Sequence, residues 1–263
     1  MDFLENIVAS KREAVAAQKK LVSPATVQAV LDGKLEPSRF LEKIQTNTCH
    51  LIAEVKKASP SAGVLREDFD GVALAQAFEK GGASAISVLT EEEFFQGSLW
   101  LFDRIRAAVK VPLLRKDFVI DTYQLYESKL HGADAVLLIA AALSAGTLSQ
   151  FVHLCQRLKL DALVEIHDTD EVQKAVDAGA TLIGVNARNL RDFSVQLEML
   201  PILVNRIPSR CAIVCESGIK NIADAEFVKK IGRRVRALLV GEALMRARDP
   251  EGLVRQFTWA LRP

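Results

Sequence analysis

Residues 50–56 read His50-Leu51-Ile52-Ala53-Glu54-Val55-Lys56. An apolar run of strand length passes straight into charge, and Glu54 and Lys56, two apart, share one face if the chain stays extended. The same design recurs in Leu114-Arg115-Lys116, Val164-Glu165, Gly184-Val185-Asn186-Ala187-Arg188 and Val214-Cys215-Glu216. Apolar runs without strict alternation suit parallel strands covered by helices. Charges repeated at the carboxyl ends of such strands belong to the mouth of a (β/α)8 barrel, where active sites are built.

The surrounding chain supports that reading. Candidate strands fall at 50–55, 84–89, 111–115, 134–139, 161–165, 181–185, 211–215 and 236–240. Their starts are separated by about 20 to about 34 residues, room for a strand, a helix and two loops. Helical stretches such as Val72 to Lys80 and Glu171 to Ala178 lie between them, and Gly81-Gly82, Gly132, Gly179 and Gly232 mark helix ends. No Gly-x-Gly-x-x-Gly turn follows the first strand, which disfavours a dinucleotide fold. The expectation is an α/β protein, a (β/α)8 TIM barrel with an N-terminal helical extension. It forms a single domain, residues 1–263, with 1–48 as the extension and 49–263 as the barrel.

In the extension, Leu4, Ile7, Val8 and Val15 form a partial apolar stripe, and Lys11, Arg12, Lys19 and Lys20 are assigned to the remaining face. Ser23-Pro24 opens a second helix, Asp32-Gly33 stops it, and a further short piece forms around Phe40. This extension is expected to cover part of the barrel mouth in preference to a membrane surface.

Composition narrows the function classes. The 263 residues are 49% hydrophobic and 25% charged, normal for a globular chain, and a net charge of +1 gives no broad field for nucleic acid. No apolar run is long enough to span a bilayer. The start Met1-Asp2-Phe3-Leu4-Glu5 does not read as a signal peptide, and Cys49, Cys155, Cys211 and Cys215 form no CxxC pair. Reduced cysteines and a cytoplasmic location are the corresponding expectations.

Strand parity and glycine turns define a candidate site. Ala212, Val214 and Glu216 share one face of the seventh strand, and Cys211, Ile213 and Cys215 the other, so an inward Glu216 makes Cys215 a packing residue. Lys56, Lys116, Glu54, Glu165 and Glu216 then converge at one mouth, where acids and bases shift one another's proton affinity. Ser217-Gly218 after strand seven and Gly241 after strand eight, with a short helix over Ala243 to Arg246, suit a phosphate. Asp249 and Pro250 open the last helix. The four histidines show no metal-ligand spacing, and His167 reads as a loop histidine, though it could line the mouth. Ser59 and Ser217 lack an evident histidine partner for a nucleophilic triad. The basic run Gly232-Arg233-Arg234-Val235-Arg236 reads as a solvated turn at the barrel bottom.

These motifs resemble the indole-3-glycerol-phosphate synthase family. Ile52 to Ser61, Leu114 to Phe118, Leu163 to Asp168, Asn186 to Leu190 and Glu216 to Ile219 carry the resemblance, helped by Phe95 to Leu99 and Ala133 to Ile139. It implies a carboxy-lyase of tryptophan biosynthesis that closes 1-(2-carboxyphenylamino)-1-deoxyribulose 5-phosphate to indole-3-glycerol phosphate, losing carbon dioxide and water, with no cofactor or metal. It further implies catalytic roles for Lys116, Glu165, Glu54 and Lys56. Substrate binding falls to Ser59, Pro60, Phe118, Asn186, Arg188 and Glu216, and phosphate binding to Lys56, Ser217, Gly218 and Gly241. Ala62, Ala187 and Cys215 depart from residues frequent in the family. The partner is expected to be a small phosphosugar, with no nucleic acid or membrane, and the protein a monomer, with a weak homodimer as the alternative. A phosphosugar isomerase and a non-catalytic phosphometabolite-binding barrel are the competing readings.

Overall fold

The computed structural model describes residues 3–31, 35–189 and 193–262. Eight parallel strands close on themselves: β1 His50–Val55, β2 Ala85–Leu89, β3 Leu113–Lys116, β4 Ala135–Ile139, β5 Asp161–Ile166, β6 Leu182–Asn186, β7 Ala212–Glu216 and β8 Val235–Val240. Each pairs with its successor, and β8 pairs with β1 through Leu51 and Leu238. The eight expected segments agree with these strands to within two residues at either end. Three helices precede the barrel: α1 Phe3–Leu21, α2 Pro24–Leu31 and α3 Phe40–Ile44. Around it run α4 Gly71–Gly81, α5 Leu99–Ala108, α6 Thr122–Leu130, α7 Ala145–Arg157, α8 Thr169–Asp177, α9 Leu200–Arg206, α10 Ile222–Lys230, α11 Glu242–Arg246 and α12 Pro250–Ala260.

Local sequence explains the element ends. Asp70, Asp121, Asp168 and Asn221 accept backbone N–H groups at the starts of α4, α6, α8 and α10, satisfying donors that have no partner inside the helix. Gly82 takes a left-handed conformation (φ 100°) to stop α4, where other residues would be strained. Ser23 Oγ accepts from Thr26 N at the start of α2, as expected. The expected stop at Asp32-Gly33 lies outside the described residues, as does Leu190.

Parity divides the barrel into two cores. Ile52, Leu114, Leu163, Leu182, Val214 and Leu239 point inward and fill the interior. Leu51, Val55, Val164, Ile183, Ile213 and Leu238 point outward against the helices. Cys215 belongs to the outer set and is fully buried, as parity required, and burial pushes its thiol far above the ordinary range. Ala187 also packs into the outer core, where an apolar residue is suited. Continuing each inward row to the carboxyl end brings Glu54, Lys116, Glu165, Asn186 and Glu216 to one level of the wall. Register places Glu165 beside Gly184, and Asn186 beside Glu216.

Two expectations are corrected. Lys11 is not on the solvated face of α1: Ile7, Lys11 and Val15 form its buried stripe, four residues apart, and Lys11 is only 8% exposed. The cause is an ion pair that Asp117 offers beneath the helix (Nζ–Oδ1 2.8 Å). The basic turn before β8 is not merely solvated. Arg234 donates to the Ile207 carbonyl and to the Val204 carbonyl (3.0 Å) at the end of α9, and Arg236 donates to the Thr46 carbonyl (2.8 Å). Carbonyls left over at a helix end gain partners this way.

Candidate active site

The strand ends open into a cavity of about 480 Å³, within the range of small-molecule sites. Every residue proposed for the site from sequence, apart from Glu216, borders it directly. Glu216 stands just beneath, 1% exposed, and reaches the cavity through Lys116. The Lys116 ammonium is 2.5 Å from Glu216 Oε2, 3.4 Å from Glu165 Oε2 and 4.0 Å from Glu54 Oε2. Lys56 Nζ lies 2.6 Å from Glu54 Oε1. The five charges that end four different strands therefore form one cluster.

Their proton affinities follow from who faces whom. Burial would lower the Lys116 value, but Glu216, Glu165 and Glu54 outweigh it and hold the ammonium charged well above the ordinary lysine range. For Glu165, burial acts upward and is overcome by Lys116 and His167, so the carboxyl stays ionised well below the usual range. Glu216 moves the other way, up to about 7: burial raises it, Lys116 opposes, and the charges of Glu165 and Glu54 add to the rise. Its Oε1 is buried without a hydrogen-bond partner, a physical reason for the ionised form to be disfavoured. Three carboxylates sharing one ammonium titrate as a set.

Room for these carboxylates is cut from the wall by glycine. A Cβ on Gly184 would collide with Glu216 Oε1, and one on Gly241 with Glu54 Oε1. Gly241 was expected on phosphate grounds, and the structure adds a steric one. Gly184 carried no signal except its inward parity in β6.

The two sides of the mouth differ. On one side Pro60, Phe95 and Phe118 form an apolar wall with the Ser59 hydroxyl beside it, and the Phe95 and Phe118 ring centroids are 6.3 Å apart. On the other, Ser217 (φ 66°) and Gly218 (φ 81°) turn in left-handed conformations. A side chain at 218 would press into Val195 and Leu197, so the turn can pass close to its neighbours only with glycine there. Asn186 Oδ1 accepts the Arg188 N–H (3.0 Å), and the Arg188 guanidinium donates to the Phe193 carbonyl (3.1 Å) and Ser61 Oγ (3.4 Å). The loop after β1 is fastened across the mouth: Arg66 donates to the Ala247 carbonyl (3.0 Å) beyond α11, and Ala58 N donates to the Phe95 carbonyl (3.3 Å). Over the top, Phe3 of α1 stacks edge-on against Phe193 and Phe94 (centroids 4.8 and 5.5 Å). Through Phe3, which borders the cavity, the extension covers part of the mouth, as expected. Sequence reading did not single out Phe3, since one aromatic at a chain start has no distinguishing pattern.

His167 is the other underrated residue. It lies in the loop after β5, as expected, and does not border the cavity, but it is not a free side chain: Nε2 lies 3.2 Å from Glu165 Oε1 and Nδ1 3.4 Å from Glu171 Oε2. Its spacing of two from Glu165 was the available signal. Burial would lower its value, but Glu165 and Glu171 raise it to about 10. A histidine raised in the folded state stabilises fully below its unfolded value near 6.5, and that contribution is lost as pH rises toward 10. Wild type is therefore expected to lose more stability than His167→Gln across that interval in urea titrations. Parallel losses in the two proteins would contradict the carboxylate contacts.

Among the described residues, no group of three or more His, Cys, Asp or Glu is arranged to hold a metal, and no helix is long and apolar enough to cross a membrane.

Comparison with known proteins follows the same lines. A family model described as "Indole-3-glycerol phosphate synthase" matches residues 4–257. A protein of that name from Sulfurimonas denitrificans is 48% identical over 217 residues, covering 82% of each chain. One from Polynucleobacter asymbioticus is 41% identical over 258 residues, covering 95% of this chain and 96% of its own. Among solved structures, thiamine phosphate pyrophosphorylase from Pyrococcus furiosus superposes with a TM-score of 0.62 at 19% identity, over 82% of this chain and 96% of that one. KGPDC from Streptococcus mutans does so at 0.60 and 15%, over 81% and 97%. At those identities the likeness speaks for the barrel alone.

Proposed function

The chain belongs to the indole-3-glycerol phosphate synthase family, and on that premise we propose how its own residues divide the chemistry. Its activity is the family's: a carboxy-lyase step of tryptophan biosynthesis that closes 1-(2-carboxyphenylamino)-1-deoxyribulose 5-phosphate to indole-3-glycerol phosphate. The observation that carries the assignment of roles is the Lys116 ammonium gathered against three wall carboxylates, between an apolar wall and the glycine turns.

The substrate's ring lies against Phe118, Ser59 and Pro60, and its phosphate on Ser217, Gly218 and Gly241. Lys56 neutralises a substrate anion, and Asn186 and Arg188 orient hydroxyl and carboxylate groups. As the carboxyl-bearing ring carbon attacks the ketone carbon, a C–C bond forms and negative charge develops on the carbonyl oxygen. Lys116 donates its proton there. An ammonium held charged so firmly gives up a proton only to a strongly basic oxygen, and a developing alkoxide is one. Loss of carbon dioxide returns the bonding electrons to the ring. Dehydration then removes the hydroxyl from the new ring carbon and a proton from the adjacent CH2, with Glu165 as the acid/base group. Glu54 holds the two lysines, and Glu216 hydrogen-bonds in the sugar region.

The site is completed by residues of one chain, which supports a monomer acting as a single barrel domain on a small phosphosugar; the biosynthetic family supports a cytoplasmic location. Light scattering of the eluted protein tests the monomer. The isomerase alternative commonly uses a cysteine and an aspartate as its acid/base pair, whereas this mouth presents lysines and glutamates. Incubation with the carboxyphenylamino-deoxyribulose phosphate is expected to raise indole fluorescence without added metal. Folded protein that makes no product at saturating substrate would sink the assignment.

A further inference from the structure

Lys11 stands where α1 should carry an apolar residue. It lies on the buried stripe between Ile7 and Val15, and its side chain is 10% exposed. Burying an ammonium is costly unless carboxylates receive it. Two do: Asp117 at 2.8 Å and Glu91 at 3.9 Å. Neither serves α1 alone. Asp117 follows Lys116 directly; its Oδ1 accepts the Phe118 N–H (2.8 Å), and its Oδ2 accepts from Thr90 Oγ1 (2.7 Å) and the Arg115 guanidinium (3.1 Å). Glu91 gathers the next loop: its carboxylate accepts the N–H groups of Glu93 (3.1 Å), Phe94 (2.8 Å) and Phe95 (3.0 Å). The two loops so organised carry Phe118 and Phe95, which face each other across the apolar wall of the cavity.

We infer that Lys11 is a positioning residue: its ammonium, bridging Asp117 and Glu91, sets the loops after β2 and β3 so that Phe95 and Phe118 form the pocket for the substrate's aromatic ring. This rests on the reading of that wall as the aryl pocket. Lys11 touches no substrate and acts through the two carboxylates. An apolar residue at this position of the stripe would suffice for packing between Ile7 and Val15, so the charge points to the two carboxylates it holds and the loops they organise.

The test uses the full chain and steady-state kinetics with the carboxyphenylamino-deoxyribulose phosphate. Lys11→Met is expected to raise KM by about tenfold while kcat changes less, since a misplaced binding wall weakens productive positioning. Lys11→Arg, which restores the charge, is expected to recover most of the loss. Glu91→Gln, which leaves the Lys11–Asp117 pair intact, is expected to raise KM in the same direction by a smaller factor, and gives a reading even if Lys11→Met fails to fold. Val15→Ala on the same helix face is the structural control: it should lower the melting temperature and leave KM unchanged. If Val15→Ala raises KM as much as Lys11→Met does, or if Lys11→Met and Glu91→Gln keep wild-type KM, the proposal is overturned. Phe118→Ala separates the two readings. If it leaves KM unchanged, the aryl-pocket assignment fails; if it raises KM while Lys11→Met does not, only the role of Lys11 fails.

Discussion

Replacing Lys116 with methionine is expected to lower kcat by on the order of 10²–10⁴, the usual contribution of one general acid, with a smaller change in KM. Methionine keeps the unbranched shape but removes the proton and the charge. The consequence extends beyond the missing acid. Glu54, Glu165 and Glu216 are each no more than 2% exposed, and they would face one another without the central ammonium. Like charges in one buried site drive proton uptake, so their carboxyl values should rise. A folded-state carboxyl value raised above its unfolded value makes folding cost more as pH climbs through the interval. Lys116→Met should therefore lose stability from acid to neutral pH more steeply than wild type. Steady-state indole fluorescence and urea unfolding across that range measure both effects. Turnover near wild type at saturating substrate would remove Lys116 from the chemistry.

Glu165→Gln is expected to lower the rate of indole formation by a similar factor, on the order of 10²–10⁴. Glutamine keeps the volume and can still accept from Lys116, so binding should change little. What disappears is a group able to take and return a proton. Because Glu165 is assigned to dehydration, the early steps should survive better than the last. Single-turnover experiments should then show carbon dioxide released ahead of indole. Equal slowing of both products would move Glu165 to the ring-closing step instead.

The strands were legible because each is a short apolar run, which a closed parallel sheet covered by helices imposes eight times, and because β1, β3, β5 and β7 carry a charge at the carboxyl end. The site was legible for the same reason: one inward row per strand puts Glu54, Lys116, Glu165 and Glu216 at one level without any knowledge of the loops. Lys11 was misassigned because a lysine on a helix is solvated by default. Only carboxylates far along the chain, Asp117 and Glu91, make its inward placement favourable. His167 shares the inward parity of Glu165, but its second carboxylate, Glu171, reaches it from the following helix, and that contact has no signal in strand parity. Phe3 was invisible, since its partners Phe94 and Phe193 meet it only once the barrel has closed.

The wall glycines have a consequence for transplantation. Gly184 and Glu216 sit on neighbouring strands and fill one volume between them, as do Gly241 and Glu54 across the seam that closes the barrel. The charge set is thus not portable as a list of charged residues. An engineer grafting Glu54, Lys116, Glu165 and Glu216 onto another eight-stranded barrel must carry the two glycines across as well, or the carboxylates will arrive with nowhere to sit.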